Sequence, residues 1–313
     1  MYGLLVGDIH LLYTTPLFRK DDIVVTQRYK VQQSLDIYKK YSCGFYCQPG
    51  DFFDTPMISD IIKEQYIRLF KSSNVILHGV EGQHDKYMRS EQSPLKVLDA
   101  AGVYKLLNTT PVILNDENEK IIELYGIGFG EEFFPMPPKN EANVCRILVI
   151  HYSAGIEDIY PGAPYTNDLQ KLMKYGESNS IDLILVGDYH WPFIAEYRNG
   201  LVVNVGCLTR CSRAKKNLEL IPSVYVYDTI SKTIFEKIAL DVAPPEDIFR
   251  FEDEVPVSEN IDLKRFIRAM QRSGENSVSF LNNLNAVLKQ GVDDSTKDII
   301  FKAIQEVGYE EKV

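Results

Sequence analysis

Five short apolar runs, each ending in a segment rich in glycine, aspartate or histidine, constrain this chain more than any other feature. The runs are Gly3–Val6, Gly44–Cys47, Val75–Leu77, Ile147–Ile150 and Leu183–Val186. Their length and their polar, glycine-containing boundaries read as buried strands. Helical stretches lie between them, at about Thr26–Lys40, Ser59–Ser72 and Asn167–Tyr175. Such β and α alternation predicts a layered α/β domain. From Leu201 the pattern changes to hairpin-like strands at Leu201–Val205, Ser223–Tyr227 and Thr233–Leu240.

The strand ends carry the chemistry. The first run leads into Gly7-Asp8-Ile9-His10, the second into Gly50-Asp51-Phe52-Phe53-Asp54, and the third into Gly82-Gln83-His84-Asp85. The fourth ends in His151 and the fifth in Gly187-Asp188-Tyr189-His190. In α/β sheets, ligands bind at the carboxyl ends of strands. Four of the five histidines fall in these segments, and His78, inside the third strand, reads as a core or edge histidine. Carboxylates, imidazoles and an amide oxygen form a ligand set for Mn, Fe or Zn. Two divalent ions about 3.5–4 Å apart clamp the attacking and leaving oxygens of a phosphoryl displacement.

The ordered motifs D-x-H, G-D-x-x-D, G-N-H-D/E, a histidine after a strand, and G-H-x-H are those of calcineurin-like metallophosphoesterases. Residues 1–240 resemble that family through Asp8/His10, Asp51/Asp54, Gly82-Gln83-His84-Asp85, His151 and Gly187-Asp188-Tyr189-His190. The resemblance implies a four-layer αββα sandwich with a dinuclear metal centre and a metal-activated water. It implies that Asp8, His10 and His190 hold one ion, that Asp51 bridges, and that Gln83, His151 and Asp188 hold the other. His84 becomes the proton donor or transition-state stabiliser at the scissile phosphate, oriented by Asp85, with Asp54 behind the ligands. Gln83 replaces the usual Asn and Asp188 the usual His. Three carboxylates around two ions favour Mn2+ or Mg2+ over Zn2+; Mn2+ is the expected ion, with Mg2+, Fe2+ and Zn2+ as alternatives.

Within that family, Leu201–Arg210 resembles the N-P-G-S-x-x-R turn of SbcD-type DNA repair exonucleases, with Val205 for Pro and Cys207 for Ser. Pro222–Asp228 resembles their closing strand, and the chain is similar to their short, phage-like forms. This implies a DNA exo- or endonuclease subunit that pairs with an SMC-like (SbcC-type) ATPase through C-terminal helices and forms a homodimer. Arg210, Arg213, Lys215 and Lys216 make a basic cluster suited to a DNA backbone. Tyr189, Trp191 and Phe193 are either core aromatics or a stacking surface. Two other readings stand beside this one. One is a phosphodiesterase or phosphatase acting on small nucleotides or phosphoproteins; the other is a weakened enzyme that serves as an assembly scaffold.

Residues 241–258 are acidic and proline-bearing, as linkers are. Beyond them, residues 259–313 read as about three short amphipathic helices, and the Leu263/Phe266/Ile267/Met270 stripe is the candidate partner contact. The net charge of -10 argues against a protein that binds nucleic acid by bulk charge. Yet residues 241–313 hold 9 basic against 15 acidic side chains, so most of the imbalance belongs to linker and tail. No run approaches the about 18 apolar residues of a membrane span. The N-terminus reads as a strand rather than a signal peptide. Five cysteines, an odd number, suit reduced thiols in a cytoplasmic protein. The C-x3-C spacings at Cys43/Cys47 and Cys207/Cys211 are not read as a structural zinc site, because Cys43 and Cys47 lie in a run that looks like a buried strand and no CxxC occurs.

Overall fold

The computed structural model describes residues 1–87, 92–115, 120–139, 143–158, 164–198 and 200–251. These belong to one unit, Met1–Asp158 with Pro164–Val255; the second unit, Ile159–Ala163 with Pro256–Val313, lies outside the described residues, as do the tail helices expected at 259–313.

Strands β1 (Tyr2–Leu5), β2 (Phe45–Gln48), β3 (Leu77–Gly79) and β4 (Tyr104–Leu106) run parallel in one sheet. The first three are almost wholly buried. Their mostly apolar character, broken by Gln48 and His78, follows because a parallel strand is covered on both faces. The second sheet holds β5 (Val112–Asn115), β6 (Ile121–Ile127), β7 (Val144–His151), β8 (Leu183–Gly187), β9 (Phe193–Tyr197) and β10 (Gly200–Asn204). Strands β11 (Ser223–Asp228) and β12 (Thr233–Ala239) return to the first. The orders are β12-β11-β1-β2-β3-β4 and β5-β6-β7-β8-β10-β9.

Three helices cover the first sheet: α1 (Ile23–Lys40), α2 (Asp60–Ser73) and α3 (Pro94–Ala100). Asp22 caps α1 by accepting from the Val24 and Val25 amides, and Ser59 caps α2 through Ile62. Alternation along each strand divides the apolar side chains between two cores. Leu4, Tyr46 and Leu77 face the helices and meet Val31, Leu35 and Phe70. Leu5, Phe45 and Cys47 face the second sheet and meet Leu124, Val149 and Leu185. Helix α4 (Tyr165–Ser178) packs on β9 and β10 at the far side of the second sheet. The result is the four-layer αββα sandwich that the sequence predicts.

Several elements were not legible in the sequence: β4, β5, β6, β9 and α3, and the short helices α5 (Lys215–Glu219) and α6 (Pro245–Ile248). Part of the expected linker packs onto the body, since Ile248 and Phe249 are buried and Phe249 bridges to Arg19. No helix among the described residues is long and apolar enough to cross a membrane.

His78 lies buried in β3, paired in register with Lys105 on β4, and its Nδ1 has no partner. Burial is the main force pulling its pKa down to about 4; the Lys105 charge adds to it, and a bond to the Tyr46 backbone opposes it. A base with a depressed folded pKa contributes stability that is present above its unfolded value, about 6.5, and lost as pH falls through the folded one. Between about pH 7 and pH 4, therefore, urea denaturation should show the wild type losing about 3 kcal/mol more than His78→Gln. Equal losses would contradict a neutral buried imidazole.

Candidate metal centre

The loop after β1 is shaped by a close backbone approach. A Cβ at Gly7 would stand 1.6 Å from the Gly206 carbonyl oxygen, so only glycine fits there. The approach seats Asp8 beside Cys207 in a parallel bridge, and the Leu208 amide donates to the Asp8 carbonyl at 2.8 Å. The chain then turns at His10, whose φ is 48°. The Ile9 and His10 amides both donate to the Asp51 carbonyl, at 3.1 and 2.9 Å, which ties the first loop to the second. Gln27, buried on α1, closes the clamp: its amide donates to the His10 and Ile9 carbonyls while its oxygen accepts from the Leu12 amide. This positioning residue carried no signal in the sequence, where it is one polar residue on a helix.

Asp51 (φ 50°) and Asp188 (φ 77°) share the left-handed conformation of His10. Such backbone costs about 1–3 kcal/mol per non-glycine residue and persists where function and packing hold it. Asp51 Oδ1 accepts from the His84 amide at 2.8 Å, and its fully buried Oδ2 has no hydrogen-bond partner. That oxygen lies 3.8 Å from His10 Nε2 and 3.3 Å from His151 Nε2.

Two groups of donors flank it. On one side His10 Nε2 and His190 Nε2 are 3.2 Å apart, with Asp8 Oδ2 3.9 Å from the latter. The Cys207 sulfur lies within 4.8 Å of both nitrogens. On the other side His151 Nε2 is 2.6 Å from Gln83 Oε1, and the Gln83 amide donates to Asp188 Oδ1 at 2.6 Å. The Asp188 backbone amide donates to Asp8 Oδ2, and the Ser153 hydroxyl donates to the Asp188 carboxylate. All seven ligands expected from the sequence are thus brought together.

The outer contacts point the rings inward. His151 Nδ1 pairs with the Pro49 carbonyl at 2.8 Å, which leaves Nε2 for the site. Asp54 serves twice: its carboxylate lies 3.4 Å from His10 Nδ1, and its carbonyl is 2.9 Å from His84 Nδ1. Asp85 acts differently from the expected orienting partner of His84. Its fully buried carboxylate accepts from the Phe52, Phe53 and Gly82 amides and so fixes the loop that carries His84.

The charge balance calls for cations. Asp8 Oδ1 and Asp51 Oδ2 are buried anionic oxygens with no donor, an arrangement that is costly unless positive charge answers it. Two imidazole nitrogens about 2.1 Å from one ion stand about 3 Å apart, as His10 and His190 do. Burial lifts the Asp8 pKa to about 7. Burial also works against the charged form of His10, but its Asp54 contact and the Asp51 charge reverse this and raise it to about 10. His151 rises to about 9 because its Asp51 contact outweighs burial, while His190, buried and facing His10, falls to about 4. Among the thiols, Cys211 falls to about 6, chiefly because Cys207 hydrogen-bonds to it; the same bond and burial push Cys207 well up. The residues therefore fit two divalent cations that share Asp51.

The basic cluster is divided. Arg210 is buried and donates to the Leu220 and Ala243 carbonyls. Arg213 donates to the Arg250 carbonyl, Lys215 is exposed, and Lys216 pairs with Glu157 and lies 5.1 Å over the Trp191 ring. Tyr189 and Phe193 are buried. Beside His151 a cleft of about 270 Å3 is lined by Phe129, Phe133, Tyr152, Ser153 and Asp168.

No family model and no curated protein matches this chain. Solved structures do. An archaeal phosphodiesterase is 14% identical, with TM-score 0.41, over 77% of this chain and 100% of its own. A 5'-nucleotidase assignment from Staphylococcus aureus is 13% identical, with TM-score 0.49, over 81% of this chain and 56% of its own. A hypothetical protein from Pyrococcus horikoshii is 13% identical, with TM-score 0.40, over 77% and 88%.

Replacing Asp85 by Asn would turn an NH2 group toward at least one of the three backbone donors. Asp85→Asn should lower stability by about 1–3 kcal/mol in chemical denaturation. An unchanged midpoint would mean that the loop is held by something else.

Proposed function

We propose that this protein is a phosphoesterase that works with two divalent ions and cleaves phosphodiester bonds. One observation carries the reading: the unpaired Asp51 Oδ2 lies between two opposed sets of histidine and carboxylate donors. Bound there, the ions polarise a phosphoryl oxygen and make water nucleophilic at neutral pH. The side chains do the rest. His84 belongs to the cluster with His10 and Asp51, and the Asp54 carbonyl holds its Nδ1. That contact keeps a proton on Nδ1 and leaves Nε2 for the site, where the imidazolium form of the ring would give its second proton to the leaving oxygen and return to the neutral form. Asp85 and Gln27 keep the loops in register.

The substrate we favour is DNA, in a nuclease subunit of a repair or recombination complex, with Mn2+ as the ion. Lys216 supports this, because it rests on Trp191, the residue after His190; Arg213 and Lys215 are exposed cations close to it in sequence. The partner is an SMC-like ATPase that would bind the Leu263/Phe266/Ile267/Met270 stripe, outside the described residues, and the active form is a homodimer. Free cysteines agree with a cytoplasmic setting. A second reading, hydrolysis of small nucleotide diesters, is favoured by the cleft beside His151, where the Phe129 ring meets the imidazole edge-on at 6.3 Å.

A parallel assay of linear duplex DNA and a bis-aryl phosphodiester with Mn2+ separates the two. Degradation of both supports the nuclease; activity on the small ester alone supports the second reading; activity on neither contradicts both. In either case His84→Asn should lower kcat about 10²–10⁴-fold while the bound metal stays constant. Unchanged turnover would remove His84 from the mechanism.

A further inference from the structure

The ligand set read from the sequence is made of oxygen and nitrogen donors, and the structure adds a sulfur. We propose that the Cys207 thiolate is a ligand of the ion held by Asp8, His10 and His190, which makes that half of the centre a soft site. This rests on the two-ion reading above and goes beyond it.

Three observations place the sulfur. First, Cys207 is 1% exposed, and its Sγ lies within 4.8 Å of both His10 and His190 nitrogens. Second, its backbone is pinned to the two loops that carry the other ligands: its amide donates to the His190 carbonyl at 3.2 Å, and it forms the parallel bridge with Asp8. The Gly7–Gly206 approach fixes that register, and Gly206 takes φ +78° to reach it. Third, the Asp8 carboxylate brings Oδ2 to 3.9 Å from His190 Nε2, and its other oxygen is buried and without a hydrogen-bond partner. A sulfur and two imidazoles therefore gather within 4.8 Å of one another, with the Asp8 carboxylate beside His190.

Cys211, four residues on, accepts a hydrogen bond from Cys207 but stands outside the donor group of Cys207, His10 and His190. Its thiol donates to the Thr209 carbonyl at 3.3 Å and sits 3.8 Å from the Thr209 hydroxyl. Cys211 is thus the control thiol.

The chemistry is a proton exchange. A divalent ion displaces the Cys207 thiol proton to solvent, and the S–metal bond forms from the sulfur lone pair with no change of oxidation state. Thiolate favours zinc and iron over manganese and magnesium. The two halves of the centre then differ in character. The Asp8/His10/His190/Cys207 side suits a softer ion, and the Gln83/His151/Asp188 side suits a harder one. The carboxylate count alone pointed to Mn2+ or Mg2+ for both.

Cobalt substitution tests this without an activity assay. Metal-free full-length protein is titrated with Co2+, and bound cobalt and the near-ultraviolet sulfur-to-cobalt charge-transfer band are followed together. The expected result is two equivalents per chain with the band. The band should disappear in Cys207→Ser and persist in Cys211→Ser. In competition between Zn2+ and Mn2+, Cys207→Ser should lose about tenfold or more of its zinc preference. Two equivalents without the band, or a band lost only in Cys211→Ser, would overturn the thiolate ligand and leave the two-ion reading intact. Failure to bind cobalt stoichiometrically would overturn both.

Discussion

A fully buried carboxylate with one oxygen unpaired is the feature on which this site depends. Asp51 Oδ1 is held by the His84 amide, while Oδ2 faces His10 on one side and His151 on the other. Against the pull of burial, the Asp51 contact raises the pKa of His151, and the Asp54 contact together with the Asp51 charge raises that of His10. Cations answer the Asp51 charge more fully, because they satisfy Asp8 and Asp51 together and leave the imidazoles as neutral donors. The cluster is thus built for positive charge, and its geometry sets where that charge sits.

Holding the cluster open costs backbone strain, which the scaffold absorbs. His10, Asp51 and Asp188 all take positive φ, and each lies at the end of, or just past, a strand of the sandwich. Buried parallel strands are the stiffest part of such a fold, so their ends can carry strained turns. The Gly7–Gly206 approach then links the loop after β1 to the loop after β10 of the second sheet, and the Gln27 clamp ties the first loop to α1. Each sheet contributes to both sides of the centre: His190 of the second stands with Asp8 and His10, and Gln83, after β3 of the first, stands with His151 and Asp188. Asp8, His10 and Asp51 follow strands of the first; His151, Asp188 and His190 end or follow strands of the second.

Much of this was legible in the sequence because a doubly covered strand must be apolar and a metal ligand must stand at its end. The runs before Asp8, Asp51, His151 and Asp188 meet both conditions. Elements that break that pattern were missed. Strand β5 lies at a sheet edge and half its side chains are exposed, while β6 carries Glu123 and Gly126 within its run. Positioning residues were harder still. Gln27 acts on a loop 17 residues away through tertiary packing, and the useful group of Asp54 toward His84 is its carbonyl, which any residue has. Cys207 read only as one of five reduced thiols, because its place beside His10 exists only once Gly7 and Gly206 meet. Arg210 looked like a surface cation, but its guanidinium is drawn inside to bind two carbonyls.

The central claim is that Asp51 joins two ions. Electron paramagnetic resonance of the metal-free protein reconstituted with Mn2+ tests it most directly. The account predicts two Mn2+ per chain with the broadened, exchange-coupled spectrum of a bridged pair, which reverts to isolated-ion lines in Asp51→Asn. A single Mn2+ per chain, or an uncoupled six-line spectrum in the wild type, would contradict it.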